Sequence, residues 1–120
     1  MGTAPEERRK YERVTLNISA QYRLTDSSIE SFMTTVLNIS QVGLCFLTGR
    51  ELKAKTRVDF MVQLDDEKAV LRGEVIWSRS PDQGHRFQNG IKIIEMAKED
   101  RDRFDRFLKK KIPKPPLDLR

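Results

Sequence analysis

Arg8, Arg9, Lys10 and Arg13 crowd four cations into six positions of a polar segment that ends at residue 13. A guanidinium binds phosphate oxygens and the O6/N7 edge of guanine through two parallel bonds, and its flat face stacks on a base. Arg9 and Arg13, four apart on an arm, could therefore wrap a compact anion from several sides. About 25 residues later, Asn38-Ile39-Ser40-Gln41-Val42-Gly43 interrupts a β-branched run. Asn38 offers an amide matched to a base edge and Ser40 offers a hydroxyl. Gly43 allows either close approach of backbone to a ligand or a bulge with φ above zero. Each segment alone also has a plainer reading: a solvated charge run, and a turn made of ordinary turn residues.

Little else in the chain can do chemistry. The one histidine, His85, follows Gly84 in a turn, where an exposed bystander fits better than a base or a ligand. One histidine and one cysteine fall short of the four ligands of a usual zinc site. Asp65, Asp66 and Glu67 are adjacent, but they read as a solvated turn and not as the positioned pair that acid–base catalysis demands. No glycine-rich phosphate loop ends in Lys-Ser or Lys-Thr, so nucleotide hydrolysis has no support. The expectation is a binding protein with no cofactor and no metal, not an enzyme.

The elements that must hold these residues follow from hydrophobic periodicity. From Val14 to Leu24 apolar and polar residues alternate strictly, with Val14, Leu16, Ile18, Ala20, Tyr22 and Leu24 on one face. Period two over that length predicts a strand. Thr25-Asp26-Ser27-Ser28 predicts a turn, Phe32 to Leu37 a second strand and Leu44 to Thr48 a third. Val58, Phe60, Val62 and Leu64 alternate up to the turn Asp65-Asp66-Glu67-Lys68. A long strand follows from about Val70 to Ser80, with Leu71, Gly73, Val75 and Trp77 sharing a face. After Pro81-Asp82-Gln83-Gly84, where proline presets φ and glycine accepts a positive one, a last strand runs from about Phe87 to Glu95.

The C-terminal part changes period. Phe104, Phe107 and Leu108 are spaced for a helix from Lys98 to Lys111. Glu99 and Asp100 open it and three lysines close it, as the helix dipole prefers. Glu99/Arg103, Asp102/Arg106 and Asp105/Lys109 stand in the favourable order for i,i+4 pairs. Pro113, Pro115 and Pro116 then forbid continuation. The expected architecture is all-β: a small six-stranded antiparallel barrel with a C-terminal helix over one mouth or side. The expected organisation is a flexible arginine-rich arm over 1–13, the barrel and helix over 14–112, and an extended tail over 113–120.

The chain has 120 residues, room for one core, and a net charge of +5 that favours anionic partners. No apolar run approaches the roughly 20 residues of a membrane span, and the N-terminal segment has no apolar stretch of the signal-peptide kind. Cys45, in Leu44-Cys45-Phe46-Leu47, cannot form an intrachain disulfide and reads as a buried structural thiol. The expected location is the cytoplasm.

Together the two polar segments resemble the signature pair of the PilZ family: Arg-x-x-x-Arg before a first strand, then Asn-x-Ser-x-x-Gly. Arg9 and Arg13 form the first, with Arg8 completing a doubled arginine, and Asn38, Ser40 and Gly43 form the second. The likeness continues in Gly73-Glu74-Val75-Ile76-Trp77, in Phe87-Gln88-Asn89-Gly90-Ile91 and in the helix, covering about Glu7 to Leu108. Ile93 departs from it where the family often has phenylalanine, a matter of core packing. The resemblance implies a six-stranded barrel that binds cyclic di-GMP on its outer surface and reports to a downstream protein. It implies that Arg9 and Arg13 clamp the ligand with help from Arg8, that Asn38 reads guanine, that Ser40 bonds polar atoms and that Gly43 leaves room. Trp77 is either a stacking face at the edge of that site or a core aromatic in phase with Leu71 and Val75.

Two rival readings stand beside this one. An OB-like barrel that binds single-stranded nucleic acid fits the basic charge, but few aromatics look placed on the strand faces for base stacking. A split-barrel flavin reductase would need a phosphate-binding strand-loop pattern that is not found here.

Overall fold

The computed structural model describes residues 13–26 and 30–111. Six strands precede one helix: β1 Val14–Leu24, β2 Phe32–Ile39, β3 Gly43–Thr48, β4 Arg57–Leu64, β5 Glu67–Arg79, β6 Phe87–Glu95 and α1 Lys98–Lys111. Every neighbouring pair is antiparallel, in the order β1-β2-β3-β6-β5-β4. Since β1 pairs with both β2 and β4, the sheet closes and no strand is left with an unpaired edge. This is the all-β barrel with a C-terminal helix that the periodicity predicts. The arm and tail assigned to 1–13 and 113–120, including Arg8 and Arg9, lie outside the described residues except for Arg13.

Alternation builds the core directly. In β4, Val58, Phe60, Val62 and Leu64 are buried while Asp59, Met61 and Gln63 are partly exposed. Inside, Phe46 meets Phe60 edge-on with ring centroids 4.7 Å apart, and Tyr22 stands 5.3 Å from Phe46. The fully buried Asn89 satisfies its amide there. It donates to the Phe46 carbonyl at 3.2 Å and to Thr48 Oγ1 at 2.9 Å, and accepts from Ser78 Oγ at 2.6 Å. That network ties β3, β5 and β6 together without leaving an orphaned polar group.

The β4–β5 hairpin is tighter than expected. Leu64 pairs with Glu67, so Asp65-Asp66 alone make the turn, and β5 begins at Glu67. Asp65 takes φ 61, a conformation that aspartate tolerates in a turn. Gln83 and Gly84 supply positive φ, 62 and 95, in the β5–β6 connection.

α1 buries Phe104, Phe107 and Leu108 against the barrel, at the end that carries the β4–β5 hairpin and the β2–β3 turn. Its expected acidic-to-basic ladder does not form. Arg103 turns to Asp100 at 2.9 Å and to the Lys68 carbonyl at 2.9 Å. Arg106 reaches Glu67 at 3.5 Å, and Lys110 and Lys111 reach Asp65. Docking brings the hairpin's carboxylates within reach of Arg106, Lys110 and Lys111, while Asp102 and Asp105 are taken by Lys98 and Arg101 of the helix itself. The i,i+4 pairs that do form, Lys98–Asp102 and Arg101–Asp105, run basic residue first.

On the outer face, Asp59 accepts from Arg72 Nε at 2.7 Å and from Arg23 Nη2 at 3.3 Å, and Arg72 also pairs with Glu95 at 3.3 Å. Burial pushes the Asp59 carboxyl up, but the bonds from Arg72 and Arg23 outweigh it and hold the group below its ordinary value. A carboxyl lowered in the folded state stabilises above its unfolded value near ~3.9, and that contribution fades as pH falls through the lower folded value. Asp59→Asn should therefore cost about 0.5–1.5 kcal/mol at neutral pH. The gap from the parent should close as the pH falls below about 4. Urea denaturation across a pH series checks this; a gap independent of pH would contradict it.

Candidate functional site

A groove of about 420 Å³ runs over the barrel exterior, lined by Arg13, Asn38, Ser40, Gly43, Cys45, Trp77 and Arg79 among others. Irregular pairing shapes it. The β2–β3 register slips between Val36 and Asn38, and both Leu37 and Asn38 line the groove. The β5–β6 register slips between Val75 and Trp77. An extra residue in one strand of a pair breaks the period-two rule beyond it. Trp77 therefore does not share the inward face of Leu71, Gly73 and Val75: it is 40% exposed and its neighbour Ile76 is 54% exposed.

The exposed indole is held from two sides. A Cβ on Gly90 would collide with Cε2 and Nε1 of Trp77, so the ring lies directly on the β6 backbone. The Arg79 guanidinium sits 5.1 Å from the ring centroid, a cation–π distance, and reaches Gln88 Oε1 at 3.5 Å. Even so held, Trp77 keeps 40% of its surface exposed to the groove side of the barrel.

Ser40 closes the β2–β3 turn. Its N–H donates to the Gly43 carbonyl at 2.8 Å, and its Oγ accepts from the Val42 N–H at 3.3 Å and lies 3.5 Å from the Gly43 carbonyl oxygen. Asn38 is partly exposed in the groove, and among the described residues its amide has no hydrogen-bond partner. Gly43 lines the groove, but it does not supply the positive-φ bulge that its type also suggested. Its φ is not positive, and the space a Cβ would need is taken by the Ile91 carbonyl. Glycine is required there because β3 must come close to β6, where Gly43 pairs with Lys92.

The groove lining carries three cations, Arg13, Arg79 and Lys92, and, among the described residues, no carboxylate. Arg13 and Arg79 have no carboxylate partner among the described residues, whereas Lys92 pairs with Glu74 at 3.4 Å. Cys45 is buried as expected. Burial raises its thiol pKa, opposed by Arg79, a backbone hydrogen bond at Asn89, and Arg13. Two guanidiniums from different elements are thus felt at one point of the groove wall.

The structure brings together Arg13, Asn38, Ser40, Gly43 and Trp77, five of the seven residues singled out in the sequence. The other two, Arg8 and Arg9, lie outside the described residues. Arg79 and Lys92 line the groove and were missed. The signal for Arg79 was present: two residues past Trp77, it shares that residue's face of the strand. Among the described residues, no cluster of three or more His, Cys, Asp or Glu is placed to hold a metal, and no helix is long and apolar enough to cross a membrane.

A model of the PilZ domain family matches residues 7–110. No curated protein matches the chain in sequence. Among solved structures, the fold resembles the Bacillus subtilis inhibitor of motility MotI/DgrA, with a TM-score of 0.71 and 17% identity over 88% of this chain and 49% of that one. It resembles the PilZ domain of Escherichia coli YcgR, solved with cyclic di-GMP, with a TM-score of 0.65 and 15% identity over 87% of this chain and 91% of that one. The K. pneumonia MrkH complex with cyclic di-GMP matches with a TM-score of 0.67 and 14% identity, over 85% of this chain and 50% of that one. The chain thus spans about half the length of MotI/DgrA and of MrkH.

Proposed function

This chain belongs to the PilZ domain family, and from that premise we propose that it is a receptor for cyclic di-GMP that relays the messenger to a partner protein. PilZ domains are binding and effector domains, not enzymes. The observation that carries the reading is the convergence of Arg13, Asn38, Ser40 and Trp77, drawn from both polar segments and from β5, on one groove.

The chemistry of the groove suits the ligand. Cyclic di-GMP has two phosphates, each with a negative charge, and two guanines that present O6 and N7. Arg13 and Arg79 supply charge-assisted donors, and Asn38 supplies an uncommitted amide. Arg9 and Arg8, on the same segment as Arg13, would complete the clamp. A guanine brought to the exposed part of Trp77 would lie beside the Arg79 guanidinium. Ordering the arm costs about 1–2 kcal/mol per residue fixed, which opposes binding. The same ordering gives a downstream protein two different surfaces to distinguish, and a messenger made inside the cell fits a cytoplasmic reader.

Calorimetry tests the reading and gives stoichiometry as well. Cyclic di-GMP should bind, and cyclic di-AMP should bind far more weakly, because adenine presents a donor where guanine presents the O6 acceptor. Equal affinity for the two would defeat guanine recognition. Tighter binding of a random single strand would favour the nucleic-acid barrel instead.

A further inference from the structure

The β2–β3 turn that carries Ser40 hangs between β6 and α1. The Val42 carbonyl accepts from the Ile93 N–H at 2.8 Å. The Gln41 carbonyl accepts from Arg101 Nη1 at 2.8 Å, across sixty residues of sequence. Arg101 is itself well fixed: it pairs with Asp105 at 3.3 Å and its guanidinium lies 5.7 Å from the ring centroid of the fully buried Phe104.

We propose that Arg101 is a positioning residue of the ligand groove: by holding the Gln41 carbonyl it orients the Ser40 hydroxyl, and so links docking of α1 to ligand affinity. This rests on the receptor reading above. The Gln41 carbonyl and the Val42 N–H belong to one planar peptide unit and point in opposite directions. Drawing the carbonyl toward α1 aims the N–H at Ser40 Oγ, 3.3 Å away. With an oxygen lone pair occupied by that donor, the Ser40 proton is left to donate. Inside the protein it has the Gly43 carbonyl at a long 3.5 Å, so an acceptor on a ligand competes easily. Gln41 and Val42 are exposed; Ile93 holds the far side of Val42, and the Arg101 bond is the contact that fixes the carbonyl end of the Gln41–Val42 peptide. Linkage then runs both ways: a ligand that prefers the oriented hydroxyl also favours the Arg101-engaged position of the helix.

Calorimetry with cyclic di-GMP on the parent, Arg101→Met, Ser40→Ala and the double variant tests this. Each single change should weaken binding about three- to tenfold, as loss of one hydrogen bond does. The double variant should bind no more weakly than Ser40→Ala, since Arg101 acts through that hydroxyl. Arg101→Lys, which restores a donor, should recover part of the loss. Arg103→Met is the matched control: it too loses a carboxylate, Asp100, and a backbone carbonyl, Lys68, but has no bond to the turn. It should lower thermal stability and leave affinity unchanged. Independent, multiplying losses in the double variant, an equal affinity loss in Arg103→Met, or parent-like binding by Arg101→Met would overturn the proposal. A parent that does not bind cyclic di-GMP at all overturns the receptor reading and this inference with it. A parent that binds and is weakened by Arg13→Ala, but is indifferent to Arg101, overturns the inference alone.

Discussion

Arg13→Ala should weaken cyclic di-GMP binding about ten- to a hundredfold while leaving the unfolding midpoint of the ligand-free protein nearly unmoved. A charge-assisted hydrogen bond contributes about 1.5–3 kcal/mol, and about 1.4 kcal/mol is a factor of ten in affinity. Arg13 is exposed, precedes β1 and has no carboxylate partner among the described residues, so its removal breaks little in the unliganded fold. Exposed substitutions of this kind usually change stability by less than about 0.5 kcal/mol. Arg9→Ala should behave in the same way. Lys109→Ala, exposed on α1, removes an equal charge and should bind as the parent does. Diffuse nucleic-acid binding would instead give similar, salt-dependent losses for all three, because it counts charges and not positions. Titrations at two salt concentrations separate these outcomes. Parent-like affinity in both arginine variants would remove the arm from the site.

Phe104→Ala should lower folding stability by about 3–5 kcal/mol, the cost of emptying a packed aromatic site. Phe104 has no solvent exposure and, with Phe107 and Leu108, seals α1 onto the barrel core. For a domain of this size the melting temperature should fall by roughly 15–30 °C. A domain commonly holds about 5–15 kcal/mol, so the variant should sit near the margin of folding. If it does not accumulate, Phe104→Leu gives a smaller drop of the same sign. A shift of less than about 3 °C in Phe104→Ala would mean that the helix unfolds separately from the barrel.

The fold was largely legible because its signals are local. Strict alternation from Val14 to Leu24 and from Val58 to Leu64 placed the strands, and the Phe104/Phe107/Leu108 spacing placed the helix. Errors arose where one residue more or less changes the outcome. The bulge before Trp77 turned a residue in phase with the core into a groove residue, and periodicity cannot anticipate an inserted residue. Gly43 was singled out by type, but the packing that excludes a side chain there, against the Ile91 carbonyl, involves a strand distant in sequence. The helix ion pairs failed for the same cause: Arg103 and Arg106 had helical partners in sequence and others on β5 once docked. Arg79 was overlooked because its value comes from the indole beside it, and that indole had not been assigned a face.

The seat of Trp77 on Gly90 has a practical consequence. It is the single tryptophan of the chain, so all indole emission originates from one wall of the groove. A molecule that enters the groove changes the surroundings of that one indole. Occupancy can then be followed in unlabelled protein, at equilibrium by the change in fluorescence and in time by rapid mixing. Two phases in such a trace would separate arrival of the ligand from a later conformational step.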